Sequence, residues 1–476
     1  MKKRTKKLNL DIDPSIAGVS RRTVEKIMNA WYESGNAPPK LDPDLPEKDR
    51  ELLIRQMSDC LDEAVGDISR LARVVHLGMI YINLTEEGKK NFLVTLATRF
   101  DVDNVLLEEK IKNMRLADND EDRIRAELEF REVLIPPRVK LLRQLITLPD
   151  GFIFLKDMRK DLLPLISTYP RLKKLDDDIK NLLATYFDIN LLDLQEIDWN
   201  TPAATLEKLM QYEAVHEISS WDDLKHRLHT DRRVFAFFHY RMPNDPLIFV
   251  EVALVNGMPD NIQKLIDVNT EPVDPATADT AIFYSISNTQ MGLTGISFGN
   301  FLIKQVVKKL SSELPNLKSF ATLSPIPRFM SWLMPYLREG GDPLLSRSEI
   351  NRILEYVHTE NPGLGLEELL EDGHWHEEKE LAEMLKRPLM RLCAHYLINI
   401  KRDLKAYDPV AHFHLSNGAR ILNMHWMADT TEKGIAQSAG IMLNYDYELK
   451  KIVRNHERYL TDHKINVSKR VRGWLK

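Results

Sequence analysis

The chain has 476 residues, of which 43% are hydrophobic, and 66 lysines and arginines against 71 aspartates and glutamates give a formal net charge of −5. This length predicts two or three domains with buried cores and excludes wholesale disorder, and the charge disfavours nucleic-acid binding through a broadly basic surface. No apolar run approaches the roughly 18 residues of a membrane-spanning helix, so a soluble protein without a membrane partner is expected.

The two cysteines and the amino terminus bear on the compartment. Cys60 and Cys393 lie too far apart in sequence to form a redox or zinc motif, which favours a reducing compartment. The first seven residues are basic, but neither an apolar stretch nor a small-residue cleavage site follows them. This segment is therefore interpreted as a solvated tail rather than a targeting signal.

Residues 20–187 show apolar positions at helical spacing, interrupted by proline and aspartate signals. Around Arg143, for example, four leucine and isoleucine side chains between 141 and 146 fall on the opposite helical face. The pattern predicts a helical bundle. Because this part contains no cluster with ligand spacing, we expect it to carry no chemistry.

After about residue 194 the composition changes and favours β-strands. The runs 234–240, 247–255 and 281–287 are rich in aromatic and β-branched residues, which predicts three strands. The stretch 242–245 contains proline, asparagine and aspartate, so it predicts a hairpin turn that makes the first two strands antiparallel.

A crossover unit follows the third strand. A glycine-rich loop at 288–300 leads into a helix from Phe301, and the stretch 317–324 then reads as a strand that Pro325 stops. A strand, loop, helix and strand in this order predict a βαβ connection between parallel strands.

The carboxyl-terminal part predicts a short helix that carries a histidine. Asp408 suits the N-cap, a proline occupies the first helical position, and Gly418 suits the position after the last turn, so His414 falls on a helix before a strand at about 420–427. A hairpin turn at Asn417 and Gly418 is the alternative. The helix is preferred because its start and stop signals agree.

The glycine loop is the first candidate site. Gly292, Gly295 and Gly299 allow backbone N–H groups to face an anion at a helix amino terminus. Further charge could come from three lysines of the next helix, Lys304, Lys308 and Lys309. The spacing matches neither a Walker A loop nor the dinucleotide fingerprint, and an ordinary helix-capping loop remains an alternative. The G-x-S-x-G match around Ser297 is disfavoured as a nucleophile elbow, because the strand ends too early.

Two side chains outside the loop are candidates for catalysis. Ser324 ends a parallel strand, where ligands bind in such sheets, although a serine there can also make only local hydrogen bonds. His414 titrates near neutral pH if it faces a cleft, but a helical histidine is more often part of the packing or the surface. His412 and His425 are weaker candidates.

The histidines at 374 and 376 invite a zinc interpretation. His374 and His376 are followed by Glu377, but the second histidine of an H-E-x-x-H motif is absent, because Glu380 stands there. No metal site is predicted.

Taken together, these segments resemble the malonyl-CoA decarboxylase family. The resemblance includes L-S-P-I-P at 323–327 and F-H-L at 413–415. The matching stretches, in chain order, are 199–203, 212–216, 246–254, 283–290, 292–293, 295–296, 323–327, 388–393, 408–411, 413–415, 417–419 and 444–445.

The resemblance implies an α+β multidomain protein. Residues 1–194 would form an all-α helical domain for oligomerisation, and 195–476 a GNAT-like, acetyl-CoA-binding α/β domain with a mixed sheet, in a homotetramer. The reaction would convert malonyl-CoA to acetyl-CoA and CO2 without a separate cofactor, since coenzyme A belongs to substrate and product. Ser324 and His414 would be the catalytic pair. The coenzyme A phosphates would bind at Gln290, Gly292, Gly295 and Asn300.

Several points stay open at this level. Arg328 and His412 depart from the residues that many members have, which leaves the details of the pocket entrance open. Ser324 could hydrogen-bond the malonyl group or act as a nucleophile that His414 activates. An acyl-CoA-dependent acyltransferase and a noncatalytic acyl-CoA-binding protein are the alternative functions. The ends carry neither a mitochondrial presequence nor a peroxisomal tripeptide, so a bacterial-type, cytoplasmic member is expected.

Overall fold

The computed structural model describes residues 26, 28, 29, 31, 39–62, 64, 66–186, 192–296, 302–339, 344–357, 362–371 and 373–476. These residues belong to two compact units. The first consists of the described parts of Met1–Leu191 and Gln290–Ser297, together with Tyr240–Met242. The second comprises Leu192–His239, Pro243–Thr289 and the described part of Phe298–Lys476.

The first unit is helical, as the sequence predicts. Its helices are α1 Glu47–Leu61, α2 Asp67–Asn83, α3 Glu86–Arg99, α4 Asn104–Arg115, α5 Asp120–Val133, α6 Pro137–Ile146, α7 Gly151–Leu162 and α8 Leu172–Ala184, with a 3-10 turn at Leu163–Leu165. Side-chain caps start several of them; Thr85, for example, accepts from the N–H of Gly88. The leucine and isoleucine side chains around Arg143 are buried, whereas Arg143 is exposed, so the predicted amphipathic helix is confirmed. None of the described helices is long and apolar enough to cross a membrane.

The second unit combines a mixed sheet with helices. Its strands are β1 Leu192–Ile197, β2 Arg232–His239, β3 Met242–Val255, β4 Thr280–Asn288, β5 Ser319–Thr322, β6 Lys401–Arg402, β7 Lys405–Ala406, β8 Arg420–His425 and β9 Met442–Asp446. Its helices are α9 Ala203–Tyr212, α10 Trp221–Arg227, α11 Ile262–Ile266, α12 Leu302–Glu313, α13 Phe329–Arg338, α14 Arg347–Val357, α15 Pro362–Glu371, α16 Lys379–Asn399, α17 Pro409–Ser416, α18 Glu432–Ser438, α19 Ile452–Thr461 and α20 Lys469–Gly473.

Seven strands form the main sheet in the order β1-β2-β3-β4-β5-β9-β8. The pairs β1/β2, β3/β4, β5/β9 and β8/β9 are antiparallel, whereas β4 and β5 are parallel over Thr280–Phe283 and Ser319–Thr322. The βαβ crossover that the glycine loop and its helix predict is therefore confirmed. A parallel pair ends with both carboxyl ends at the same edge of the sheet, which makes this pair a place to look for a site.

The predicted turn between the first two long strands is wrong. Residues 242–245 lie inside β3, and the chain turns at Tyr240 and Arg241 instead. Pro243 and Asn244 are exposed near the first residue of the strand, a position at which a missing backbone N–H is tolerated. The three long strands themselves are confirmed.

The short helix near the carboxyl end is confirmed as α17. The carboxylate of Asp408 accepts from the N–H groups of Val410 and Ala411, and Gly418 has a φ of +84° just beyond the helix. The alternative hairpin turn at Asn417 and Gly418 is therefore wrong. The agreement of cap, proline and glycine places His414 in the last turn of a helix whose start and end are fixed.

Candidate active site

Ser324 lies where the parallel pair β4/β5 comes apart. The N–H of Leu323 donates to the carbonyl of Phe283 on β4 at 3.1 Å. One residue later, Ser324 exchanges both backbone hydrogen bonds with Leu443 on β9, each at 2.9 Å, and Pro325 ends the ladder. The segment thus loses its pairing with β4 at the serine but keeps its pairing with β9, and the serine side chain is buried at 7% exposure.

His414 reaches the same position from α17. Its ring is 2% exposed, and its Nε2 lies 3.2 Å from the Oγ of Ser324. The two residues stand 90 positions apart in sequence, so the fold brings together the two side chains that the motifs single out. Tyr447, which follows β9, approaches the other ring nitrogen of the histidine, with its hydroxyl 2.7 Å from Nδ1.

The hydrogen bonds around Ser324 determine which ring nitrogen carries the proton. The Ser324 hydroxyl donates to Oγ1 of Thr322 at 2.8 Å. Because a hydroxyl has only one proton, the contact with Nε2 must be donated by the ring. In a neutral ring, Nδ1 then accepts, and its donor is the hydroxyl of Tyr447. The chain of hydrogen bonds therefore runs from Tyr447 through His414 and Ser324 to Thr322.

Burial keeps this histidine neutral. Complete removal from water lowers the pKa of His414 to about 3, and no charged neighbour adds to the shift. Burial also raises the pKa of Tyr447 well above 10, so its hydroxyl keeps its proton. The pair is therefore a set of neutral, preorganised hydrogen-bond donors and acceptors in a dry environment, where such groups act most strongly on developing charge.

A second tyrosine holds the imidazole plane. The ring of Tyr445 stacks on His414 at a centroid distance of 4.3 Å, and its hydroxyl has no hydrogen-bond partner among the residues that the structure describes. Tyr445 and Tyr447 thus touch the same ring in different ways. One restrains the plane through stacking, whereas the other fixes the proton through a hydrogen bond.

Beyond Phe283, strand β4 carries two more hydroxyls. Phe283 pairs with Thr322 and Val252, whereas Ser285 pairs with Glu251 across a register shift, so Ser285 and Ser287 lie on the opposite sheet face from Thr322. Both serines donate to one carboxylate oxygen of Glu213, at 2.7 and 3.0 Å. The other oxygen of Glu213 accepts two backbone N–H groups. This buried, fully bonded carboxylate joins the residues after α9 to the end of β4.

The candidate phosphate loop belongs to the first unit. Gln290 accepts from the ammonium of Lys156 at 2.8 Å, and Met291–Leu293 forms a 3-10 turn. Gly292 is buried, and Gly295 has a φ of +75°, a value that favours glycine. Asn300, Ser297 and Gly299 lie outside the described residues.

The remaining candidate histidines have structural partners. His412 contacts the hydroxyl of Tyr459 at 2.8 Å, and His425 contacts Asn444 at 2.5 Å. His374 is exposed beside Glu377. The described residues contain no group of three or more histidine, cysteine or acidic side chains placed to hold a metal.

The sequence did not predict the two residues that complete the hydrogen-bond chain, Thr322 and Tyr447. Thr322 offered one signal, since a residue two positions before Ser324 on a strand shares its face. Tyr447 offered none, because it lies 33 residues from His414 and only the pairing of β9 with β5 brings it near.

Comparison with known proteins agrees with the resemblance seen in the motifs. Family models described as malonyl-CoA decarboxylase C-terminal domain and N-terminal domain match residues 190–476 and 100–187. The mitochondrial malonyl-CoA decarboxylase of Anser anser anser is 38% identical over 366 residues, which are 74% of this chain and 72% of that protein. The enzyme of the same name from Rattus norvegicus is 37% identical over 359 residues, 73% of each chain.

Solved structures give the same result. The crystal structure of malonyl-CoA decarboxylase from Rhodopseudomonas palustris has a TM-score of 0.79 and 40% identity, covering 89% of this chain and 99% of that one. The structure from Agrobacterium vitis has a TM-score of 0.77 and 38% identity, covering 90% of this chain and 99% of that one. The chain belongs to the malonyl-CoA decarboxylase family.

Proposed function

We propose that the chain converts malonyl-CoA to acetyl-CoA and CO2, with Ser324 and His414 as the catalytic pair. The observation that carries the proposal is the 3.2 Å contact between these side chains, buried and neutral at the end of a parallel strand. Both lie in the motifs that resemble the catalytic motifs of the family.

The reaction requires stabilisation of an enolate. When the bond between the central malonyl carbon and the carboxylate carbon breaks, CO2 leaves and the electron pair moves to the thioester oxygen. A preorganised donor aimed at such an oxygen supplies about 3–4 kcal/mol in a water-excluded site. When substrate binds, the Ser324 hydroxyl turns from Thr322 to donate to the malonyl group. The carboxylate then leaves perpendicular to the thioester plane, which lets the electron pair overlap with the carbonyl.

His414 supplies the proton that completes acetyl-CoA. The hydrogen bonds favour a neutral ring with its proton on Nε2, next to Ser324. A neutral imidazole of lowered pKa can act as an electrophile and proton donor toward an enolate. The hydroxyl of Tyr447 stabilises the charge that develops on Nδ1 as the proton leaves, and the ring then recovers a proton from solvent.

The same hydrogen bonds argue against Ser324 as a nucleophile. Nucleophilic attack needs a base that accepts the serine proton, but Nε2, the ring nitrogen next to Ser324, already carries a proton. A malonyl or acetyl adduct trapped on Ser324 would favour the nucleophilic role. Absence of any adduct in a single turnover would favour the hydrogen-bonding role.

The coenzyme A phosphates bind at the loop after β4, at Gln290, Gly292, Gly295 and Asn300. Support comes from the local backbone, because the positive φ of Gly295, directly after the turn at Met291–Leu293, is a conformation found in backbone nests that bind anions. We also assign the second unit to the GNAT-like fold. The mixed sheet, in which β4 and β5 are parallel and separate beyond Leu323, supports this assignment.

We further propose that the protein forms a homotetramer in the cytoplasm. Helices α4 and α5 bury almost no side chains of their own, which supports a role of the helical domain in forming a homotetramer. The exposed apolar side chains there are Val105, Leu106, Leu116, Ile124, Leu128, Leu134 and Ile135. Cys60 and Cys393 are unpaired and buried, as suits the reducing cytoplasm. Light scattering on the purified protein tests the tetramer.

The test of the reaction uses malonyl-CoA labelled in its free carboxyl group. Decarboxylation predicts release of the label as CO2 together with one acetyl-CoA per CO2. Transfer of an acyl group to an amine without release of label would identify an acyltransferase instead. Tight binding of acyl-CoA without any turnover would identify a binding protein.

A further inference from the structure

Helices α7 and α8 hold the loop that follows β4. A Cβ added to Gly292 would lie 2.0 Å from the carbonyl oxygen of Lys156, so the loop backbone rests directly on α7. The guanidinium of Arg159, also on α7, donates to the carbonyl of Gly292 at 2.8 Å. Asp176 of α8 fixes that guanidinium at 2.7 Å. The conformation of the loop thus depends on the helical unit.

One lysine of α8 reaches this loop. The ammonium of Lys180 lies 3.4 Å from the position that a Cβ on Gly295 would occupy. Its side chain is half-buried, and none of the described carboxylates forms a salt bridge with it. By contrast, Lys173 pairs with Asp176, and Lys174 pairs with Asp101. Among these three lysines of α8, Lys180 has its charge available at the loop.

We propose that Lys180 of the helical unit binds the pyrophosphate of the coenzyme A substrate at this loop. The inference rests on the proposed function and adds a residue of α8, which belongs to the same compact unit as the loop. Backbone N–H groups at a glycine with positive φ favour an anion, and an ammonium beside them adds a charge-assisted hydrogen bond. The absence of a side chain on Gly295 leaves the space between backbone and ammonium open to a phosphate oxygen.

The decisive experiment compares two substrates on the variant Lys180→Gln. Malonyl-CoA carries the pyrophosphate, whereas malonyl-pantetheine carries the same thioester without any phosphate. We expect kcat/KM for malonyl-CoA to fall tenfold to hundredfold, on the order of one hydrogen bond to a charged group, with kcat nearly unchanged. We expect no change in kcat/KM for malonyl-pantetheine.

A third substrate shows whether Lys180 binds the pyrophosphate or the 3′-phosphate of coenzyme A. Malonyl-3′-dephospho-CoA keeps the pyrophosphate, so the variant should show the same loss with it as with malonyl-CoA. If the loss disappears with this substrate, Lys180 binds the 3′-phosphate and the pyrophosphate assignment is overturned.

Lys174→Gln is the matched control, because it removes the same charge from the same helix where the ammonium pairs with Asp101 at 2.8 Å. An equal loss in this control, an equal loss on malonyl-CoA and malonyl-pantetheine, or no loss at all would overturn the proposal. The dissociation constant of coenzyme A, measured by calorimetry on the full chain, gives a second readout. A protein that releases no CO2 would refute the proposed function, while the coenzyme A affinities of the variants would still decide the role of Lys180.

Discussion

The Ser324–His414 pair and the loop at 290–296 each follow a strand of the same parallel pair, but they are built on opposite physical principles. The pair is buried and neutral, and each of its hydrogen bonds comes from another uncharged side chain. The loop carries glycines and is held by the cations Lys156 and Arg159. A site that stabilises a developing enolate gains from a dry surrounding without competing charge, whereas a site for a permanent polyanion needs positive charge.

The largest effect should come from removing either member of the neutral pair. We expect Ser324→Ala and His414→Ala each to lower kcat by roughly two to four decades, because the removed groups act on the transition state. The dissociation constant of coenzyme A should stay the same. Steady-state kinetics and calorimetry measure both. Ser416→Ala, on the same helix as His414, serves as the control, since its hydroxyl only donates to the carbonyl of Phe413. Weakened coenzyme A binding with full turnover at saturation would contradict the assignment.

Adding a side chain to the glycine loop should change KM more than kcat, the reverse of the effect expected at the catalytic pair. In Gly292→Ala, the new Cβ would lie 2.0 Å from the carbonyl oxygen of Lys156, so helix or loop must move. Such overpacking costs about 1–3 kcal/mol, and we expect KM for malonyl-CoA to rise while kcat changes less. Gly473→Ala is the control, because its Cβ would meet no atom within 4 Å. A lowered kcat with unchanged KM would mean that the loop takes part in the chemistry instead.

The two tyrosines that contact His414 permit a finer test. Tyr447→Phe removes the donor to Nδ1 but keeps the ring, so the imidazole loses the bond that selects its tautomer. We expect kcat to fall about tenfold, the worth of one hydrogen bond. Nitrogen NMR of labelled histidine should show loss of the pure Nε2–H form. Tyr445→Phe removes a hydroxyl without a partner in the described structure and should keep the tautomer. The same NMR spectrum in both variants would refute the hydrogen-bond chain.

The sequence predicts the parts of the site that depend on local signals. Pro325 after a strand, and the cap and stop residues around His414, indicate where a serine and a histidine emerge from regular structure. Thr322 lies two positions before Ser324, so its contact follows from strand periodicity, whereas Tyr447 contacts His414 from just after the strand that pairs with β5. No periodicity encodes the second contact.

In the helical part, contacts between residues far apart in sequence were even harder to predict. Its charged faces predict solvated helices without chemistry, yet Lys156 reaches Gln290 over 134 positions of sequence. Among the three lysines expected to add charge from the helix after the loop, Lys309 pairs instead with Glu313 and Glu196. The spacing of lysines along a helix does not reveal which carboxylates the fold places beside them. The turn expected at 242–245 failed for a related reason, since its residues suit the exposed start of a strand equally well.

The smallest expected effect on the kinetics concerns pH: kcat should not depend on the titration of His414. With the pKa of His414 lowered to about 3, the ring stays neutral from pH 5 to 8, and kcat should show no inflection from this histidine in that range. Its carbon-bound protons, followed by NMR in the free protein, should keep constant shifts over the same interval. An inflection near pH 6.5 that disappears in His414→Gln would show that the ring is hydrated and that the dry-site argument fails.

The same burial predicts how stability depends on pH. In the unfolded chain the ring has its usual pKa near 6.5, above the folded value of about 3, so the unfolded state takes up the proton first as pH falls. The free energy of unfolding should therefore be unaffected by His414 above pH 6.5 and should decrease below it, by up to about 1.4 kcal/mol per pH unit. His216, whose pKa burial lowers to about 4, contributes in the same direction, so only the difference between wild type and His414→Gln isolates one ring. Denaturant unfolding between pH 4 and 7 should give a shallower slope for His414→Gln, and parallel slopes would mean that the imidazole is charged in the folded protein.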